Sequence, residues 1–218
     1  MTVKPSFEQV LAESCRRLRI RLTPQQLAQM EHYHRLLEEW NPRINLTAIT
    51  DPVEAAEKLF VDSLCVLDVL SGCAKVLDIG SGAGFPGIVL KIARPDMTVH
   101  LAESIRKKVS FQKQVILELK LRDIHAHLVR LGNESPEEIE RNSFDAVLFQ
   151  AVGALDETAR IALPYLLPQG IIVAMKGPAV EGEFAALNTA EVRVEKVVRY
   201  TLPHLGHGRS LVVLKKQD

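Results

Sequence analysis

The stretch Asp78-Ile79-Gly80-Ser81-Gly82-Ala83-Gly84-Phe85-Pro86-Gly87 constrains the fold of this chain more than any other. Lys75–Ile79 before it reads as a β-branched strand, and Phe85–Ala93 after it reads as a helix that runs out before Arg94-Pro95. Glycine lets a backbone turn sharply and approach a ligand closely. The helix start that follows offers backbone N–H groups with no partner inside the helix. A glycine loop between a strand and a helix is the opening unit of an open α/β sheet, whose ligands sit at the carboxyl ends of parallel strands.

The remaining pattern agrees. Strands are expected at Thr98–Glu103, Ile124–Val129, Ala146–Phe149 and Gly170–Met175, and near Val192–Thr201 and Ser210–Lys215. Helices are expected at Ile105–Leu121 and over most of Leu155–Leu167, with a short one near Glu183–Asn188. In Ile105–Leu121, Ile105, Val109, Gln112, Val115, Ile116 and Leu119 share one face, while Arg106, Lys113 and Lys120 lie on another. Strand–helix alternation implies parallel strands with right-handed crossovers, and the short Leu202–Arg209 link makes the last two strands antiparallel neighbours. The first seventy residues read as helical. Thr23-Pro24 and Asp51-Pro52 are cap-plus-proline helix starts, and Asn41-Pro42 is expected to stop the intervening helix. Two parts follow: a helical region over 1–70 and a Rossmann-like domain over 71–218.

Two ligands compete for the glycine loop. Gly82-x-Gly84-x-x-Gly87 satisfies the dinucleotide pattern, with Glu103 as the acid that follows. The register Asp78-x-Gly80-x-Gly82-x-Gly84 instead ends a strand on an acid, which suits a ligand bearing an ammonium group. S-adenosylmethionine is such a ligand and is the preferred reading, with Glu103 accepting from the ribose hydroxyls. A glycine turn with no ligand is the third possibility.

Composition limits the partners. The chain has 218 residues, with 27 Lys/Arg balanced by 27 Asp/Glu. A neutral total argues against a generic polyanion binder, yet residues 104–130 carry a balance of +5, residues 133–157 a balance of −6 and residues 193–217 again +5. No apolar run is long enough to span a membrane, and the charged N-terminus lacks a signal-peptide core. Cys15, Cys65 and Cys73 lack disulfide or zinc spacing, and the seven histidines show no metal spacing. A cytoplasmic protein without a metal is expected.

The acceptor leaves fewer marks. Amine methylation commonly uses an Asn/Asp-Pro-Pro-aromatic loop after the fourth strand, where this chain has Phe149-Gln150-Ala151-Val152. Methylation of a pyrimidine carbon needs a cysteine nucleophile, and no cysteine follows residue 73. Guanine N7 needs neither device, because its lone pair attacks without losing a proton. Alignment and desolvation then suffice, with no obligatory catalytic residue.

The sequence resembles the bacterial small-subunit ribosomal RNA guanine-N7 methyltransferases, the RsmG or GidB family. The resemblance covers nearly the whole chain. It rests on Asn45-Leu46-Thr47, Asp62-Ser63, Asp78-x-Gly80-x-Gly82-x-Gly84-x-Pro86-Gly87-Ile88, Lys107-Lys108-x-x-Phe111, Leu119-Lys120-Leu121, Lys176-Gly177 and Arg209 before Leu211-Val212-Val213.

The resemblance implies a class I S-adenosylmethionine-dependent methyltransferase fold. That fold is a mostly parallel seven-stranded sheet with an antiparallel last strand and a helical N-terminal extension. It implies a donor site at Asp78, Gly80, Ser81, Gly82, Gly84, Phe85 and Glu103, with Leu131 and Gly132 at the adenine and Gln150 by the methyl group. It implies that Lys107, Lys176 and Arg209 face RNA, and that the partner is 16S ribosomal RNA or the small subunit, with no DNA and a monomeric enzyme. Where the family usually has Ser-Arg-Ala, an acid and a His, this chain has Phe149-Gln150-Ala151, Gly132 and Leu59. Those differences keep two alternatives open: a different acceptor, or a donor-binding ribosome or RNA module with little turnover.

Overall fold

The computed structural model describes residues 4–132, 137–150, 153–187 and 191–217, so Ala151, Val152 and Asn188 lie outside the described residues. Seven strands form one sheet: β1 Lys75–Ile79, β2 Thr98–Glu103, β3 Ile124–Leu128, β4 Phe144–Gln150, β5 Leu166–Lys176, β6 Val192–Thr201 and β7 Gly208–Lys216. Their order is β3-β2-β1-β4-β5-β7-β6. The first five pair in parallel, and β7 runs antiparallel to both β5 and β6. The sheet topology is therefore the one expected from the alternation of strands and helices. The order reverses between β1 and β4, so the crevice of an open α/β sheet opens beside the glycine loop.

Helices α1 Phe7–Arg17 and α2 Pro24–Ile44 each begin with a reciprocal cap, Ser6 with Gln9 and Thr23 with Gln26. A third helical stretch runs through α3 Pro52–Ala55, a π-helical segment Ala56–Val61 and α4 Asp62–Leu64. Helices α5 Gly87–Ala93, α6 Arg106–Glu118 and α7 Leu155–Ala162 cross over between strands.

One core joins the helical region to the sheet: Phe7, Met30, Tyr33, Phe60, Phe85, Ile88 and Phe111 are all buried in it. Trp40 packs against Phe111 as an inter-helix contact, with ring centroids 5.7 Å apart. Glu57, fully buried, accepts from Ser14 Oγ and from the backbone N–H groups of His204 (2.9 Å) and Leu205 (3.2 Å). One carboxylate thereby ties the N-terminal helices to the β6–β7 connection. The three cysteines are free, and burial pushes the Cys15 thiol up to about 12 and Cys73 up to about 11.

Several boundaries differ from expectation: α6 ends at Glu118 and not at Leu121, the short helix is a 3-10 turn at Glu181–Ala186, and three more have a clear cause. Asn41-Pro42 does not stop α2, which continues to Ile44 and ends at Asn45 in the left-handed region (φ 52°). Proline in the last turn costs one donor there. The Asn41 side chain offsets the loss by pairing with both the N–H and the C=O of Thr47, each at 2.9 Å. Helix α5 begins at Gly87 and not at Phe85, because the Gly87 N–H is the donor that Asp78 Oδ2 caps, at 2.8 Å. The stretch Leu155–Leu167 is helical only to Tyr165. Pro164 converts its end to a 3-10 turn, and β5 starts at Leu166, paired with Phe144.

Candidate functional site

The glycine loop is braced from three sides. Behind it, Asp78 is fully buried with Oδ2 on the Gly87 N–H, while Oδ1 has no hydrogen-bond partner among the described residues. Burial holds this carboxyl well above the usual carboxylate range; the Gly87 N–H opposes the shift and the Glu103 charge adds to it. From α2, Tyr33 donates to Ala83 O at 2.6 Å and stacks on Phe85 with centroids 5.0 Å apart. From α6, Gln112 Nε2 donates to Ser81 Oγ and Gly82 O, both at 2.8 Å. A polar residue on the apolar face of α6 was the sequence signal for this contact.

Gly84 sits at φ +104°, where a Cβ would lie 2.4 Å from Ile88 Cδ1 and 2.9 Å from the Tyr33 hydroxyl. Glu103, buried at the end of β2, accepts from Gly82 N (2.9 Å) and Ile105 N (2.8 Å). Ser104 Oγ also donates to Oε1 at 3.4 Å, so Oε2, with one donor and two lone pairs, retains acceptor capacity.

A cavity of 430 Å³ opens in front of this loop. The glycine-loop residues Gly80, Ser81, Gly82, Ala83 and Phe85 line it, together with Gln150, Met175, Lys176, Gly177 and Arg209 from the strand ends. Leu46, Thr47, Ile49, Lys58, Leu59 and Asp62 complete it from the helical region. The family-like Asn45-Leu46-Thr47 connector is brought there by the Asn41 clamp.

Asp62 belongs to the Asp62-Ser63 motif and has no place in the expected donor or RNA site. Its backbone N–H reaches back five residues to Glu57 O, so the π-helical segment sets the phase at which its side chain emerges. Tyr200 donates to Asp62 Oδ1 at 2.5 Å, Arg209 Nε lies 3.5 Å from the same oxygen, and Gln150 Nε2 is 3.4 Å from Oδ2. Burial raises the Asp62 pKa; Tyr200, Arg209 and Gln150 oppose the rise. Burial and the Asp62 charge push the Tyr200 hydroxyl far up.

The structure gathers some predicted residues and separates others. Gly80, Ser81, Gly82, Phe85, Gln150, Lys176 and Arg209 share the cavity. Asp78, Gly84 and Glu103 lie behind or beside the loop and shape it. Leu131 is buried in a second core on the other side of the sheet, Gly132 is exposed, and neither lines the cavity. Lys107 is exposed in the first turn of α6, outside the cavity. Lys176 Nζ is held by Gly153 O at 2.6 Å and Glu183 Oε2 at 2.9 Å.

Solved structures share this fold. A SAM dependent methyltransferase from Aquifex aeolicus superposes with a TM-score of 0.56 at 20% identity, covering 76% of this chain and 93% of that one. The N-methyltransferase NodS from Bradyrhizobium japonicum, in complex with S-adenosyl-l-homocysteine, gives 0.58 at 14% identity over 87% and 99% of the two chains. Sheet order, glycine loop and crevice thus define a class I S-adenosylmethionine-dependent methyltransferase fold.

Sequence comparison is finer. Residues 26–213 match the GidB family, described as rRNA small subunit methyltransferase G. A ribosomal RNA small subunit methyltransferase G of Desulforamulus reducens is 41% identical, with 94% of this chain and 88% of the relative covered. One of Syntrophotalea carbinolica is 43% identical over 82% and 83%. The chain belongs to the rRNA small subunit methyltransferase G family.

Proposed function

We propose that this protein transfers the methyl group of S-adenosylmethionine to N7 of a guanine in 16S ribosomal RNA. Family membership supports a ribosomal RNA substrate. The observation that carries the chemistry is the single cavity joining the glycine loop to Gln150, Lys176 and Arg209. Bare backbone at Gly80 and Gly82 and the apolar faces of Leu59, Phe85 and Met175 fit a compact donor with an apolar methylsulfonium. The bound donor supplies an electrophilic methyl group.

The chain's own residues position it. Gly80–Phe85 hold the methionine part, and Glu103 turns its remaining acceptor capacity to the ribose. The family resemblance assigns the adenine to Leu131-Gly132, which lie outside the cavity, and Asp78 holds the loop to α5. No general base is called for at a lone-pair nitrogen.

RNA phosphate is read as the partner of Lys107, Lys176 and Arg209. Helix α6 opens with Arg106, Lys107 and Lys108 and has no acid in its first turn. Positive charge at the positive end of a helix is unfavourable until an anion joins it. For Lys176, phosphate competes with Glu183. The helical region 1–70 acts as a cap over the 71–218 domain. The reading is of a monomer working in the cytoplasm, where ribosomal RNA is matured. Incubation with small subunits or 16S RNA and labelled donor is expected to yield 7-methylguanine; no methylation in any assembly state overturns the reading.

A second reading has one observation in its favour. Gln150, where the family carries arginine, leans on Asp62 at 3.4 Å and brings no charge to the cavity. Under that reading the acceptor or turnover has drifted, and Gln150→Arg raises 16S methylation.

A further inference from the structure

N7 is present in adenine as well as guanine, so aligning a purine N7 with a methyl donor does not by itself select the base. The bases differ along the opposite edge. Guanine presents two donors there, N1–H and the 2-amino group; adenine presents an acceptor at N1. A buried carboxylate tells them apart, because it accepts from both guanine donors and repels the adenine N1 lone pair.

Asp62 is the only carboxylate lining the cavity among the described residues. It is 5% exposed, and its two oxygens are unequally engaged. Oδ1 takes the Tyr200 hydroxyl at 2.5 Å with Arg209 nearby, which fixes the carboxylate plane. Oδ2 has one long contact, Gln150 Nε2 at 3.4 Å, which an incoming N–H displaces at little cost. Arg209 meets the charge at Oδ1, which leaves Oδ2 as the oxygen with acceptor capacity to spare.

We propose that Asp62 reads the Watson–Crick edge of the acceptor guanine, accepting from N1–H and the 2-amino group. Its negative charge then also favours the methylated product. This inference rests on the guanine-N7 reading above and deepens it. In the transfer, the N7 lone pair forms the N7–CH₃ bond as the S–CH₃ bond breaks. The sulfonium becomes a neutral thioether, the base becomes a cationic 7-methylguanine, and no proton leaves. Positive charge thus moves from sulfur into the ring, and electron density pushed in through N1–H and the amino group helps N7 to attack. A fixed carboxylate in a dry site stabilises the charge where it arrives. Tyr200 is a positioning residue, acting through Asp62.

The test compares small-subunit RNA carrying guanine or inosine at the methylated nucleotide. Inosine keeps N7 and N1–H and lacks the 2-amino group. The wild-type protein is expected to lose about 10- to 100-fold in kcat/KM on inosine, the usual worth of one hydrogen bond to a charged group. Asp62→Asn is expected to lose about 100-fold or more on guanine and to show a guanine-to-inosine ratio near one, with calorimetric donor affinity within about twofold of wild type. Equal wild-type rates on guanine and inosine overturn the proposal, whether or not the variant folds. So does an Asp62→Asn protein that still discriminates, or one whose donor affinity falls in step with its activity, which assigns Asp62 to the donor. If wild-type protein binds donor yet methylates no guanine N7, the underlying functional reading fails instead.

Discussion

The two halves of the cavity are built in opposite ways. On the glycine-loop side, the tying contacts are shorter in range: Asp78 to Gly87 spans nine residues, Glu103 to Gly82 twenty-one, Gln112 to Ser81 thirty-one and Tyr33 to Ala83 fifty. On the other side, Asp62 meets Gln150 across 88 residues and Tyr200 across 138. The first half closes on backbone groups and admits almost no change of shape. The second is a set of side chains delivered by separate segments, and it is where charge and polarity are tuned.

The largest expected effect separates the halves by backbone strain. Gly84→Val forces a Cβ into Ile88 and Tyr33 at positive φ and should cost about 3 kcal/mol or more in urea denaturation, with donor binding lost. Gly177 lies on the other half with nothing within 4 Å of a built Cβ, so Gly177→Ala should stay within about 0.5 kcal/mol. Equal costs would break the comparison.

The next pair separates the halves by ligand. Glu103→Ala should weaken donor affinity about 10- to 100-fold in calorimetry, since two backbone donors lose a charged acceptor and the loop loosens. Arg209→Ala should raise KM for RNA about 10-fold, flatten its salt dependence and leave donor affinity alone. Crossed results, with RNA affinity following Glu103 or donor affinity following Arg209, would show the two halves to be one.

A smaller effect tests how α2 serves the loop. Tyr33→Phe keeps the stack on Phe85 and deletes the bond to Ala83 O, for about 1 kcal/mol of stability. Donor affinity should drop a few-fold, and RNA affinity should not change.

The smallest effect is a dependence on pH, of opposite sign at His100 and at Asp62. On β2, burial and the neighbouring His127, His125 and Lys75 push His100 down to about 3. An unfolded chain takes up this proton near the ordinary histidine value and the folded one resists it. The stabilisation is therefore complete above about pH 6.5 and is lost as pH falls towards 3; His100 is only half-buried, so solvent screening keeps the loss small. Asp62 has the opposite sign: its raised pKa makes its contribution fullest in acid and smaller as pH rises through the folded value. Thermal melts of His100→Gln should show a flatter acid limb than wild type, and melts of Asp62→Asn a steeper one.

Much of the donor half was legible in the sequence. The bounds of β1 and β2 follow from β-branched runs. The glycines announce the loop, and Glu103 falls at the end of the next strand. Gln112 was visible as a polar residue on an apolar helix face, without a partner to assign. The acceptor half was legible only as separate motifs. Asn45-Leu46-Thr47, Asp62-Ser63, Lys176-Gly177 and Arg209 each stood out, with nothing to say that they meet. Pro42 misled because its local penalty is real, and a contact six residues away, Asn41 with Thr47, outweighs it.

By itself the sequence determined the strand–helix alternation, the parallel sheet with its reversed last strand and the glycine loop, because backbone preferences and hydrophobic period act over a few residues. Tertiary structure decided which polar groups share the cavity. The π-helical segment turns Asp62 towards the cavity, the β6–β7 pairing brings Tyr200 and Arg209 to it, and Leu131-Gly132 and Lys107 are left outside. Those outcomes depend on side-chain phase and on contacts between segments more than a hundred residues apart, which packing fixes and local sequence does not encode.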